Sequence, residues 1–216
     1  MYQILGISRA LTLFGLLSAV VITAWAILAP PADPSSPTEW WKIASGAVSG
    51  SGLAVALVGQ SPLFTLLCRL PLVRGWFPPI DGEWKATLES NWPAIQQRAH
   101  PHSAPVSLAP VPATVTIIAR LFYVRMNLTS DNRYSTSRTV FVRVSRDPED
   151  GSVTLHYLYK NTTLVPEATD SDSHDGAANL GVERQGSDIW LEGVYWTNRN
   201  WHVGLNTAGR ITLRRA

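Results

Sequence analysis

Cys68 is the only thiol in this 216-residue chain. One cysteine excludes an intramolecular disulfide framework and suits a reducing compartment. Placed at the end of an apolar run, it reads as a buried thiol rather than a lipidated or redox-active one. Enzyme signatures are missing as well: no Gly-x-Ser-x-Gly elbow, no phosphate loop, no His-Glu-x-x-His and no paired cysteines. No nucleophile–base pair can be named, so neither an enzyme nor a resident cofactor or metal is expected. An excess of one charge is also lacking: from Ile80 onward there are 14 basic and 14 acidic side chains. Backbone binding needs a basic stripe, so a nucleic-acid polymer is not an expected partner. A small anionic ligand held by a few placed arginines remains open.

Charge is absent altogether from two stretches, Ala10 to Ala29 and Ile43 to Cys68. Crossing the hydrocarbon core takes roughly 20 apolar residues, so both are long enough. Between them PPADPSSPTEWWK is short and proline-rich, the composition of a hairpin loop. Trp25, Trp40, Trp41 and Trp76 fall near the ends, where indole rings prefer the headgroup region. Arg9, Arg69 and Arg74 flank the outer ends, which by the positive-inside rule puts both termini in the cytoplasm of a multi-pass inner-membrane protein. A cleaved signal peptide is the rival reading of the first span; its apolar region is longer than usual, and the second span would still leave the C-terminal part inside. The expected division is a two-helix membrane region over 1–76 and a cytoplasmic domain over 77–216.

Small residues line the second span. Gly46, Gly50 and Ala54 recur every four positions, with Gly52 and Ala56 as a second row. Such rows let helix backbones approach closely, either between copies of the chain or within one hairpin. Gln60 and Pro62 add a polar group and a possible kink.

Beyond Ile80 the pattern alternates apolar and polar residues in the manner of half-buried strands. Gly82, Trp84, Ala86 and Leu88 share one face. Ala113 to Leu128 reads as one long strand with Val115, Ile117, Ala119, Leu121 and Tyr123 inward. Val140, Val142 and Val144 alternate next, and a turn over 147–151 leads to Val153, Leu155, Tyr157 and Tyr159. Strands over 177–184, 189–197 and 210–214 follow. The expected fold is a membrane α-hairpin plus an all-β domain, an antiparallel barrel of about eight strands, since closure removes exposed edges. Pro93–Pro112 and Pro166–Gly176 read as loops. The His100–Pro101–His102 pair lacks a third metal ligand. Glu167, Asp170, Asp172 and Asp175 lack the glycine and terminal glutamate of a calcium loop, which favours a solvated segment.

Candidate site residues are aromatic or polar tips on otherwise inward faces. Tyr157 and Tyr159 alternate on one strand, and Tyr195, Thr197 and Arg199 on another. An aromatic ring can stack a nucleobase, and arginine binds phosphate bidentately. Arg125 and Arg138 lie near candidate inward positions, and His174 either donates to a ligand or ties down its loop.

Together the chain resembles the two-transmembrane, β-strand-rich effectors encoded beside SMODS-type nucleotidyltransferases in bacterial CBASS antiphage systems. The stretches that carry the resemblance are Gly82-Glu83-Trp84, Ser135-Thr136-Ser137, Leu155 to Asn161, His174-Asp175-Gly176, Leu191 to Tyr195 and Gly209 to Leu213. The resemblance implies a β-barrel that binds a cyclic dinucleotide made by a cognate CD-NTase. Binding would drive homo-oligomerisation of the spans, through Gly46, Gly50 and Ala54, and disruption of the lipid bilayer, killing the infected cell. It implies Tyr157, Tyr159, Asn161, Tyr195, Thr197, Arg199, Ser135, Ser137, Arg125 and His174 as ligand-binding residues. The family pattern has a glutamine in the second strand where this chain has Ala119 and Arg120, a departure that bears on ligand preference. Gly82-x-Trp84 also looks like the opening strand of lipocalins, in which a tryptophan closes the barrel floor under an arginine; Arg214 or Arg215 would serve here. Two other functions compete: a membrane-anchored, lipocalin-like carrier of an apolar ligand, and a scaffold that docks a protein partner.

Overall fold

The computed structural model describes residues 1–99, 110–130, 135–166 and 169–216. His100, His102 and Glu167 lie outside these residues. The chain divides into two compact units: Tyr2–Phe77 with Arg120–Phe122, and Met1 with Pro78–Ala119 and Tyr123–Ala216.

The first unit is helical. Helix α1 spans Gly6–Leu28 and α2 spans Pro37–Gln60, and both are long and apolar enough to cross a membrane. At 1.5 Å rise per residue each is about 35 Å long, slightly more than a hydrocarbon core. Pro37 opens α2 in the first turn, where a missing N–H costs nothing. The apolar run to Cys68 is not one helix. Ser61 breaks it, its hydroxyl capping the N–H of Leu63, and Pro62 starts the short helix α3 over Pro62–Leu67. Proline cannot bond to the carbonyl one turn back, which ends α2 at Gln60. Cys68 follows, buried, and α4 occupies Pro71–Arg74. The first small-residue row divides by environment. A Cβ added at Gly46 would lie 3.3 Å from the Trp25 ring, whereas one at Gly50 would meet nothing within 4 Å. Gly46 therefore packs against α1, and Gly50 and Ala54 lie on an exposed face of α2.

The second unit is a closed barrel of eight strands, each paired antiparallel with its sequence neighbour and β1 paired with β8. The strands are β1 Gly82–Ser90, β2 Val111–Ala119, β3 Val124–Ser130, β4 Ser135–Arg146, β5 Val153–Thr163, β6 Ser173–Gln185, β7 Asp188–Thr197 and β8 Ala208–Arg215. Helix α5, Trp92–Ala99, lies between β1 and β2, so the segment from Pro93 begins as a helix with its proline in the first turn.

Three sequence readings need correction. Ala113–Leu128 is two strands: the chain turns over 120–123, and Val124 and Met126, not Leu121 and Tyr123, face inward on β3. Here the inward phase switches from odd to even positions across the turn. Val140 is not inward either. A β-bulge between Thr139 and Phe141 leaves Val140 59% exposed and resets the alternation to Val142 and Val144. Across that bulge the Thr139 hydroxyl takes over from the ladder, accepting from Met126 N at 2.7 Å and donating to its carbonyl at 2.9 Å. Finally, β6 begins at Ser173, four residues before the strand expected at 177.

One end of the barrel is a sealed apolar floor. Trp84, Leu155, Leu191 and Leu213 have 0% exposure there. Trp84 satisfies its indole N–H on the Ile80 carbonyl at 3.0 Å. The Arg215 guanidinium lies 4.4 Å from the Trp84 ring centroid and donates to the carbonyls of Asp81, at 2.6 Å, and Pro79. Of the two arginines named for this lipocalin-like role, Arg215 fills it, while Arg214 lies over Trp190 at 5.5 Å.

Candidate ligand pocket

At the other end the inward rows change character, and there the barrel holds a cavity of about 180 Å³. Strand β5 supplies its spine. After Leu155 its inward residues are Tyr157, Tyr159, Asn161 and Thr163, all buried. The two tyrosine rings stack at 5.0 Å between centroids and 27° between planes. Tyr157 is fixed by its hydroxyl, which donates to the Met126 carbonyl at 3.0 Å. Tyr159 packs closely on β6 because its neighbour there is Gly176, where any Cβ would collide with the hydroxyl end of the ring. That close approach requires glycine.

Asn161 anchors a polar corner. Its Oδ1 accepts from Ser135 Oγ at 3.0 Å and Ser137 Oγ at 2.9 Å, and its Nδ2 reaches Ser135 Oγ at 2.8 Å. The two serines alternate on β4 and so share its inward face. Tyr195 and Thr197 enter from β7, and the Thr197 and Thr207 hydroxyls bond at 3.0 Å. Just past β7, Arg199 turns back over the mouth. Its Nε lies 2.9 Å from Asp170 Oδ1, its Nη2 donates to the Thr169 carbonyl at 3.1 Å, and its Cζ lies 4.8 Å from the Trp92 ring centroid. His174, at the start of β6, lines the cavity with its Nδ1 3.2 Å from Ser171 Oγ.

Burial sets the protonation states. It pushes the hydroxyls of Tyr157, Tyr159 and Tyr195 above the ordinary phenol value, so all three are protonated at neutral pH. Burial also holds the His174 imidazole below its ordinary value, against the opposing pull of Asp170. The site therefore offers neutral donors and acceptors, stacked aromatic faces and one paired guanidinium.

Nine of the ten expected site residues line this cavity: Ser135, Ser137, Tyr157, Tyr159, Asn161, His174, Tyr195, Thr197 and Arg199. Arg125 does not. It points outward from β3 with its guanidinium 5.0 Å from the Tyr123 ring, because odd positions of β3 face solvent. Arg138 is likewise on the outer face of β4. Ala119 and Arg120 also lie away from the cavity: Ala119 ends β2 inward, with its N–H on Asp81 Oδ1 at 2.8 Å, and Arg120 opens the turn after it. Sequence reasoning missed Trp92 and Asp170. Asp170, read as part of a solvated acidic loop, is an ion-paired carboxylate only 6% exposed. Its partner is 29 positions away, and no local pattern announces such a pair.

A closed antiparallel barrel with an aromatic and polar cavity at one end is the architecture of a small-ligand receptor. The comparisons with known proteins make that class particular. Residues 76–215 match the model of the Cap15 cyclic dinucleotide receptor domain, and the chain belongs to that family. It is 33% identical over 141 residues to the CD-NTase-associated protein 15 of Escherichia albertii, a match covering 63% of this chain and 61% of that relative.

Proposed function

We propose that this chain is a membrane-anchored receptor for a cyclic dinucleotide second messenger and the effector arm of a CBASS antiphage system. The observation that carries the reading is the stacked Tyr157–Tyr159 pair beside the Ser135–Ser137–Asn161 corner, inside the stretch that matches the receptor family. The aromatic faces suit a nucleobase, the amide and hydroxyls suit a base edge, and Arg199 suits a phosphate. The cognate nucleotidyltransferase supplies the ligand, in keeping with the name of the Escherichia albertii relative.

In this reading residues 1–76 form a membrane hairpin in which α1 and α2 cross the inner membrane with both termini cytoplasmic, and 77–216 form the sensor. Ligand binding drives assembly of the spans into homo-oligomers. Gly50 and Ala54 are the contact row between copies, because their face of α2 is open, while Gly46 serves the hairpin itself. Assembly then disrupts the bilayer and kills the infected cell. The chain acts as a receptor and not as an enzyme.

The test is expression in bacteria with inducible supply of a panel of cyclic dinucleotides, following inner-membrane integrity by dye entry. One nucleotide is expected to admit dye, and Tyr159→Ala and Gly50→Leu are expected to abolish entry. Intact membranes across the panel, with no ligand-induced rise in melting temperature, would leave the apolar carrier or the scaffold as the better reading.

A further inference from the structure

We propose that Asp170 is a specificity-determining residue of this pocket: its carboxylate occupies the Arg199 guanidinium until a ligand phosphate takes its place. This rests on the reading that the ligand carries phosphate. The pair is well withdrawn from water, with Arg199 and Asp170 side chains 11% and 6% exposed, so solvent screens it little. Beyond the carboxylate, Arg199 is held by the Trp92 ring at 4.8 Å and by the main-chain carbonyl of Thr169 at 3.1 Å. The guanidinium therefore keeps its position if the carboxylate leaves. Asn200 Nδ2 grips the same Thr169 carbonyl at 3.1 Å, so the segment bearing Asp170 is clamped by two consecutive side chains.

A phosphodiester carries the same single negative charge as a carboxylate, so exchange preserves the charge opposite the guanidinium. With Asp170 in place, an entering phosphate meets a like charge that lines the same cavity. The cavity of about 180 Å³ is also smaller than the roughly 300–1,000 Å³ typical of small-ligand sites. Displacing Asp170 removes the repulsion and enlarges the mouth together. An uncharged ligand gains no partner from that exchange, so only an anion takes up the freed guanidinium.

The experiment compares the full-length chain with its Asp170→Asn, Asp170→Ala and Asp170→Glu variants in lipid nanodiscs. Calorimetry and thermal melting read two kinds of ligand: inorganic phosphate, and the panel of cyclic dinucleotides. Asp170→Asn and Asp170→Ala are expected to melt lower without ligand and to bind phosphate about tenfold tighter than wild type, while Asp170→Glu stays near wild type. Phosphate binding that is equal in all four proteins, or weaker in the neutral variants, overturns the inference. Tighter phosphate binding with no cyclic dinucleotide bound by any protein would sink the second-messenger reading and leave Asp170 in its assigned role. A cyclic dinucleotide bound equally by all four, with phosphate indifferent, would do the reverse.

Discussion

The two ends of the barrel are built from the same eight strands and obey the same alternation, yet they do opposite things. At the floor the inward residues are Trp84, Val144, Leu155, Leu191 and Leu213, each at most 1% exposed. At the mouth serines, tyrosines, an asparagine and threonines join aliphatic residues such as Leu88, Val111 and Leu180 around open space. Strand β5 runs through both, passing from Val153 and Leu155 to Tyr157 and Tyr159 and then to Asn161 and Thr163. Apolar close packing at one end closes the barrel and supplies stability. Polar inward residues at the other would weaken a core, and they are tolerated because they bond one another around a cavity. A gradient of polarity along an inward row thus marks a pocket, where alternation alone marks only a barrel.

The sharpest way to break the comparison is at the floor. Trp84→Ala removes a fully buried indole and is expected to cost about 3–5 kcal/mol, read as a large fall in denaturant midpoint. Ligand affinity of the fraction that remains folded should change less than stability does, since Trp84 itself does not line the cavity. At the mouth the order reverses. Tyr159→Ala is expected to weaken nucleotide binding by about 1–3 kcal/mol in calorimetry, with a smaller loss of stability than at Trp84. Gly176→Ala should mimic it by driving the Tyr159 ring off the β6 backbone.

Smaller effects sharpen the contrast. Arg215→Ala removes the guanidinium from the outer side of Trp84 and should lower stability by about 1 kcal/mol while leaving binding unchanged. His174 reports on the mouth through pH. Its folded-state value is depressed, chiefly by burial, so on acidification the unfolded chain takes up the proton first. Stability should therefore fall as pH drops below the ordinary histidine value near 6.5. His174→Gln should flatten that part of a melting-temperature profile, and a slope unchanged by the substitution would assign it to other groups.

Much of this was legible before any coordinates. The inward faces of β1, β5 and β7 could be read from alternation, because pleating sends every second side chain to one side whatever the partner strand. The pocket residues on those strands were legible for the same reason: a tyrosine or asparagine in an otherwise aliphatic inward row stands out. Where phase breaks, the reading failed. The turn over 120–123 and the bulge at Val140 each reset the alternation, and Arg125 and Arg138 were misplaced nearby. Long apolar runs identified α1 and α2, but the stop at Ser61 depended on a cap and a proline inside a run that stays apolar.

By itself, then, the sequence determined composition along each element: two apolar helices, alternating strands, and an inward row on β5 that turns polar. Those properties are local, set by 3.6-residue and two-residue periods and by the absence of charge. Tertiary structure alone decided which residues meet. Trp84 finds Arg215 from the other end of the domain, Asn161 collects Ser135 and Ser137 from across the sheet, and Arg199 joins Asp170, Thr169 and Trp92 at the mouth. Each contact depends on register and closure, which follow from how eight strands pair around a common core and not from any one of them.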